Sequence, residues 1–135
     1  MRVIADWLVG RRGEVIVQGF SSDCFPLSNM TYQGTVWGPP LWNLFFADSP
    51  LAVRKCGFQE IIYADDLNAF RCFLNSVSNE FVLSQLRRCQ FELHVWGAAN
   101  SVIFDAEKES FHVISRSDFH GTSFKLLGVQ IDLQL

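Results

Sequence analysis

EIIYADDLNAF, residues 60–70, sets two carboxylates side by side between two apolar runs. Residues 60–64 and 67–73 both read as strands, so Asp65 and Asp66 fall at the tip of a tight hairpin. Such a tip favours Gly or Asn, with Asp a second choice for left-handed backbone, and adjacent like charges repel. A hard divalent cation reverses that balance. Mg²⁺ recruits carboxylate oxygens and completes its shell with water and phosphates. An Asp-Asp pair alone is more often a solvated acidic turn than a metal site, so the rest of the chain has to decide.

Working upstream, EVIVQGF (14–20) is β-branched and ends at Gly19, the pattern of a strand entering a turn. GPPLWNLFFADSP (38–50) places a Pro pair where a helix can start, repeats Leu41, Leu44 and Phe45 at helical spacing, and ends the helix at Pro50. Downstream, Ser78 is the expected N-cap of a helix with the stripe Val82, Leu86, Cys89, Leu93 and Trp96, and Gly97 stands near its end. After Asn100 the pattern turns to short strands, SFHVIS (110–115) and FKLLGVQID (124–132), separated by a polar turn containing Gly121. Helices mixed with antiparallel strands make the expected class α+β. No repeat, low-complexity segment or linker divides the sequence, so 1–135 reads as one domain.

Composition bounds the function. The 135 residues are 49% hydrophobic and 19% charged, enough to bury a core, and 13 Phe and 4 Trp make that core rich in rings. A net charge of −3, with short basic pairs at Arg11–Arg12 and Arg87–Arg88, argues against a free-standing nucleic-acid binder. Cys24, Cys56, Cys72 and Cys89 are too scattered for a zinc site or a disulfide framework and read as buried free thiols in a reducing compartment. Asp6 interrupts the apolar run near the N-terminus and LWNLFFA (41–47) is too short to span a bilayer, so the expected setting is soluble and intracellular, with no membrane partner. His94, His112 and His120 have no ligand spacing, and the rings of Phe45, Phe46, Phe70 and Phe73 are expected in the core.

The ordered motifs resemble a known family. YADD (63–66) resembles the active-site hairpin of reverse transcriptases, and YQGTVWGPPLWNLFFAD (32–48) resembles the segment preceding it in non-LTR retrotransposon enzymes. Gln33, Gly34, Gly38 and Pro39 match that segment, although Tyr32 stands where Pro is common and Trp37 where a smaller aliphatic residue is usual. NSVIFDAEKESFHVIS (100–115) is similar to the family's Asn-containing segment with a downstream Lys, matched by Lys108. FKLLGVQID looks like the hairpin that grips the primer end, and IADWLVGRRGEVIVQG (4–19) like the helix end and strand before the Gln-Gly segment.

The resemblance implies a partial palm of a right-hand polymerase, an antiparallel sheet backed by helices and incomplete at both ends. It implies RNA-templated DNA synthesis with Mg²⁺, or Mn²⁺, as cofactor and RNA template, DNA primer and dNTP as partners. Asp65 would be the firmer metal ligand and Asp66 its support. Lys108 would face the leaving pyrophosphate, and Gln33, Gly34, Tyr63 and Ala64 would contact nucleotide and template. The family also uses an Asp on a strand upstream of the part resembling WLVGRR (7–12). Asp6 and Asp23 lack that strand context and read as surface residues. The expectation is therefore a fragment without the upstream strand, fingers or thumb, inactive by itself and prone to self-association. The alternative is a non-catalytic interaction module, or a retroelement remnant, that keeps the palm fold.

Overall fold

The computed structural model describes residues 2–27, 34–116 and 118–134. The chain forms two compact units, Met1–Leu44 and Phe45–Leu135. Both belong to a mixed α+β architecture in which every named strand pairs antiparallel with one partner.

In the first unit, α1 (Arg2–Leu8) precedes four very short strands. The strand β1 (Arg12–Gly13) pairs with β4 (Phe25–Pro26), and between them β2 (Ile16–Val17) pairs with β3 (Phe20–Ser21). Gln18 (φ 51°) and Gly19 (φ 85°) both take positive φ, the two-residue turn whose twist suits a hairpin. The strand expected over 14–20 is thus cut to Ile16–Val17, because the chain doubles back at Gln18. Arg12 secures the return, donating from its guanidinium to the Cys24 carbonyl at 3.1 Å and to the Cys24 sulfur at 3.3 Å. Asp6 and Asp23 are exposed, as expected.

α2 (Gly38–Phe46) starts where the Pro pair places it, and the Thr35 hydroxyl accepts the Gly38 N–H at 3.1 Å. It stops at Phe46. Pro50 belongs instead to the first turn of α3 (Ser49–Lys55), where a missing N–H costs nothing. Seven residues are too few to show a period, which is why the sequence pattern hides this helix. The fully buried Ser49 donates its hydroxyl to the Phe46 carbonyl at 2.9 Å, both within the second unit.

Beyond α3 the chain turns at Gly57 (φ 75°) into β5 (Gln59–Tyr63), which pairs with β6 (Asp66–Phe70). α4 (Asn79–Ala99) then runs for 21 residues from the expected cap, Ser78 accepting the Phe81 N–H at 3.3 Å. Its predicted stripe is buried or half-buried throughout. Val53, Cys56, Phe58 and Cys89 form the core between α3 and α4, with Leu67, Ala69, Phe73, Leu86 and Leu93 packed against it. At the C-terminal end, β7 (Phe124–Leu126) and β8 (Val129–Ile131) make a hairpin around Leu127 (φ 48°) and Gly128 (φ 83°). SFHVIS does not become a strand. It contributes single bridges, Val113 to His120 and Ser115 to Gln134.

The ring-rich stripe needs correction. Phe46 is buried and Phe73 half-buried, whereas Phe45 and Phe70 are each 44% exposed. Phe70 lies opposite Gln59 on the outer face of the hairpin, so the two-residue period turns it away from the core. Phe45 makes a tilted contact with Trp96 at 6.3 Å, and Phe46 meets the same ring edge-on at 5.2 Å.

Gly97 sits inside α4, where a Cβ would come within 2.8 Å of the Val102 carbonyl and 2.9 Å of the Phe104 ring. Gly97→Ala is therefore expected to destabilise the protein by about 1–3 kcal/mol, although Ala is the better helix former. Urea unfolding followed by circular dichroism measures the change, and a gain in stability would contradict this packing.

Candidate functional site

The hairpin holding the acidic pair is positioned by its inner face. Cross-strand pairs Ile62–Leu67 and Glu60–Ala69 share one face, and Leu67 and Ala69 from that face pack on the core. Tyr63–Asp66, Ile61–Asn68 and Gln59–Phe70 share the other. The base is clamped twice. Arg54 donates to both Glu60 carboxylate oxygens, and this hydrogen bonding, aided by the guanidinium charge, holds the Glu60 carboxyl below the usual carboxylate range. Arg71 lies 4.8 Å over the Phe73 ring and 5.8 Å from that of Phe58, and donates to the Cys56 carbonyl at 3.2 Å.

At the tip, the turn differs by one residue from the expectation. Ala64 and Asp65 form it, and Asp66 is already the first residue of β6, paired with Tyr63. The positive-φ position belongs to Ala64 (φ 55°), so Asp65 carries no left-handed strain. Both carboxylates are exposed, as is Tyr63 at 65%. Two adjacent hard oxygen donors on an anchored hairpin suit a hard cation but fill only part of an octahedral shell. Among the described residues, no third His, Cys, Asp or Glu joins them in a group able to hold a metal.

Of the remaining expected site residues, Lys108 and Gly34 are among those described. Lys108 is in an exposed turn, its N–H bonded to the Asp105 carbonyl at 3.0 Å and its ammonium 3.7 Å from the Asp105 carboxylate. Gly34 belongs to the first unit and takes φ 84° with open space around it. Gln33 and Tyr32 lie outside the described residues.

One feature escaped the sequence reading. Arg87, Gln90, Phe91 and His94 on α4, with Phe111, line an open hollow of about 430 Å³. Glu109 braces it, accepting from Gln90 and lying 2.7 Å from His94 Nε2. The helical spacing of the four α4 residues was a usable signal, masked by the stronger apolar stripe beside it. Nearby in sequence, His112 stacks on Phe124 at 4.2 Å, and burial pushes its imidazole below the usual histidine range.

Among the described residues no helix is long and apolar enough to cross a membrane. Comparison of the chain with protein-family models, curated proteins and solved structures returns no match.

Because Ala64 pays for a conformation that Gly adopts freely, Ala64→Gly is expected to stabilise the protein by about 1 kcal/mol. The shift in urea midpoint checks it. A lower midpoint would mean that the Ala64 methyl contributes packing that outweighs the strain.

Proposed function

We propose that the β5–β6 hairpin is the metal-binding hairpin of a polymerase palm of reverse-transcriptase type, acting in RNA-templated DNA synthesis. The observation that carries this reading is the placement of Asp65 and Asp66, exposed at the tip of a tight hairpin whose base and inner face are anchored. Anchoring matters because ligands held in place need little reorganisation when charge develops. Bound Mg²⁺ or Mn²⁺ would supply activation of the primer hydroxyl and stabilisation of charge on the leaving pyrophosphate.

Within that reading each residue has a part. Asp65 binds the cation most firmly and Asp66, one position into β6, supports it. Tyr63 and Ala64 face the nucleotide, and Gln33 and Gly34 contact the incoming dNTP and template. Lys108 brings a cation toward the pyrophosphate. Its present partner does not prevent this, since an ion pair 3.7 Å long with side chains 85% and 53% exposed is weak.

A second reading is favoured by the same hairpin's outer face. Ile61, Tyr63 and Phe70 are 45%, 65% and 44% exposed there, and the described residues pair neither outer edge of the two strands. A non-catalytic module would use this apolar face and open edge for association rather than chemistry.

With two carboxylates from one hairpin, Mn²⁺ should bind weakly and broaden resonances of residues around Asp65 and Asp66 first. Asp65→Asn/Asp66→Asn should remove that broadening, and no primer extension on an RNA template is expected from the chain by itself. Broadening that ignores the double substitution would remove the metal site, and robust extension would show that two ligands suffice. Sedimentation should also reveal concentration-dependent self-association, weakened by Ile61→Lys on the outer face. A monomer at every concentration would count against the open edge.

A further inference from the structure

Cys24 and Cys72 are exposed, against the expectation that all four are buried, whereas Cys56 and Cys89 are buried in one core cluster at 8% and 4% exposure. Cys56 is the C-cap of α3 and Cys89 lies in the middle of α4, so the two meet only because those helices pack. Both pack in one core cluster with Val53 and Phe58. Burial first, then the neighbouring Cys56, push the Cys89 thiol up to about 11. Residues 59–70, the whole hairpin with Asp65 and Asp66, lie between the two sulfurs in sequence.

We infer that Cys56 and Cys89 are a redox pair, closing a reversible disulfide between α3 and α4 when a hydroperoxide acts as oxidant. Cys56 reacts first, because it is the more exposed of the two and caps a seven-residue helix whose end can open locally. Its thiolate attacks a peroxide oxygen, the O–O bond breaks, and sulfenic acid forms with release of hydroxide, which takes up the proton the thiol gave. The Cys89 sulfur then attacks the Cys56 sulfur, forming the S–S bond and expelling the sulfenic oxygen, which leaves as water with the Cys89 proton. Two electrons have passed from the sulfurs to the peroxide. The closed loop spans the hairpin, so oxidation restrains the tip relative to α3 and α4 and lowers the entropy of the unfolded chain. None of this depends on polymerase chemistry.

The test uses the full chain with its exposed thiols replaced, Cys24→Ser/Cys72→Ser. Native protein is treated with hydrogen peroxide, denatured and exposed to N-ethylmaleimide before intact-mass measurement. The expected result is loss of two hydrogens, no alkylation, a cross-linked peptide joining Cys56 to Cys89, and a higher melting temperature that dithiothreitol returns to its starting value. Adding Cys56→Ala should leave Cys89 open to alkylation after the same treatment. The inference is overturned by two thiols that still alkylate, by sulfinic acids on separate cysteines, by links between chains, or by the loss of two hydrogens persisting in the Cys56→Ala variant.

Discussion

The second unit depends on the burial of Val53 and Cys89 in a core shared by α3 and α4. Val53 is fully buried, and burying a Val side chain is worth about 1.5–3 kcal/mol. α3 has seven residues, far below the length at which a helix holds itself together in water. It exists because α4, three times longer and properly capped, offers a surface to pack on. The hairpin inherits the same support, since Leu67 and Ala69 rest on that core.

Aromatic and ionic contacts then decide which end of the hairpin is held and which is free. Phe58 enters β5 and Phe73 follows β6, and their rings meet at 6.2 Å with the Arg71 guanidinium nearby. Arg54 and Glu60 close the adjoining edge. These restraints act at the base. The turn residues Ala64 and Asp65 lie at the opposite end, so the carboxylates project from a fixed support into solvent. Such an arrangement presents charge to a ligand without burying it, which avoids the desolvation cost a buried acidic pair would carry.

Legibility of the chain followed the strength of local periodicity. α4 was plain, because its stripe repeats over about four turns and Ser78 caps it as a serine should. The β5–β6 hairpin was plain for the same reason at period two, yet its turn lies one residue earlier, at Ala64 and Asp65. Propensity favours Asp over Ala at positive φ, but the pairing of Tyr63 with Asp66 places Ala64 there. α3 was hidden by brevity, and Pro50, which looked like a stop, was a start. The hollow beside His94 was hidden because Phe111 and Glu109 reach it from outside α4.

By itself the sequence determined the α+β class, the long amphipathic helix and an acidic hairpin tip, because these follow from spacing, caps and turn residues within a few positions of one another. Only the tertiary structure decided that Phe70 faces outward, that Ala64 takes the left-handed turn position, and that Cys56 meets Cys89. Each of these depends on which face of one element lies against another. A side chain's partner across the core is set by packing between segments distant in sequence, and that information appears only when the segments meet.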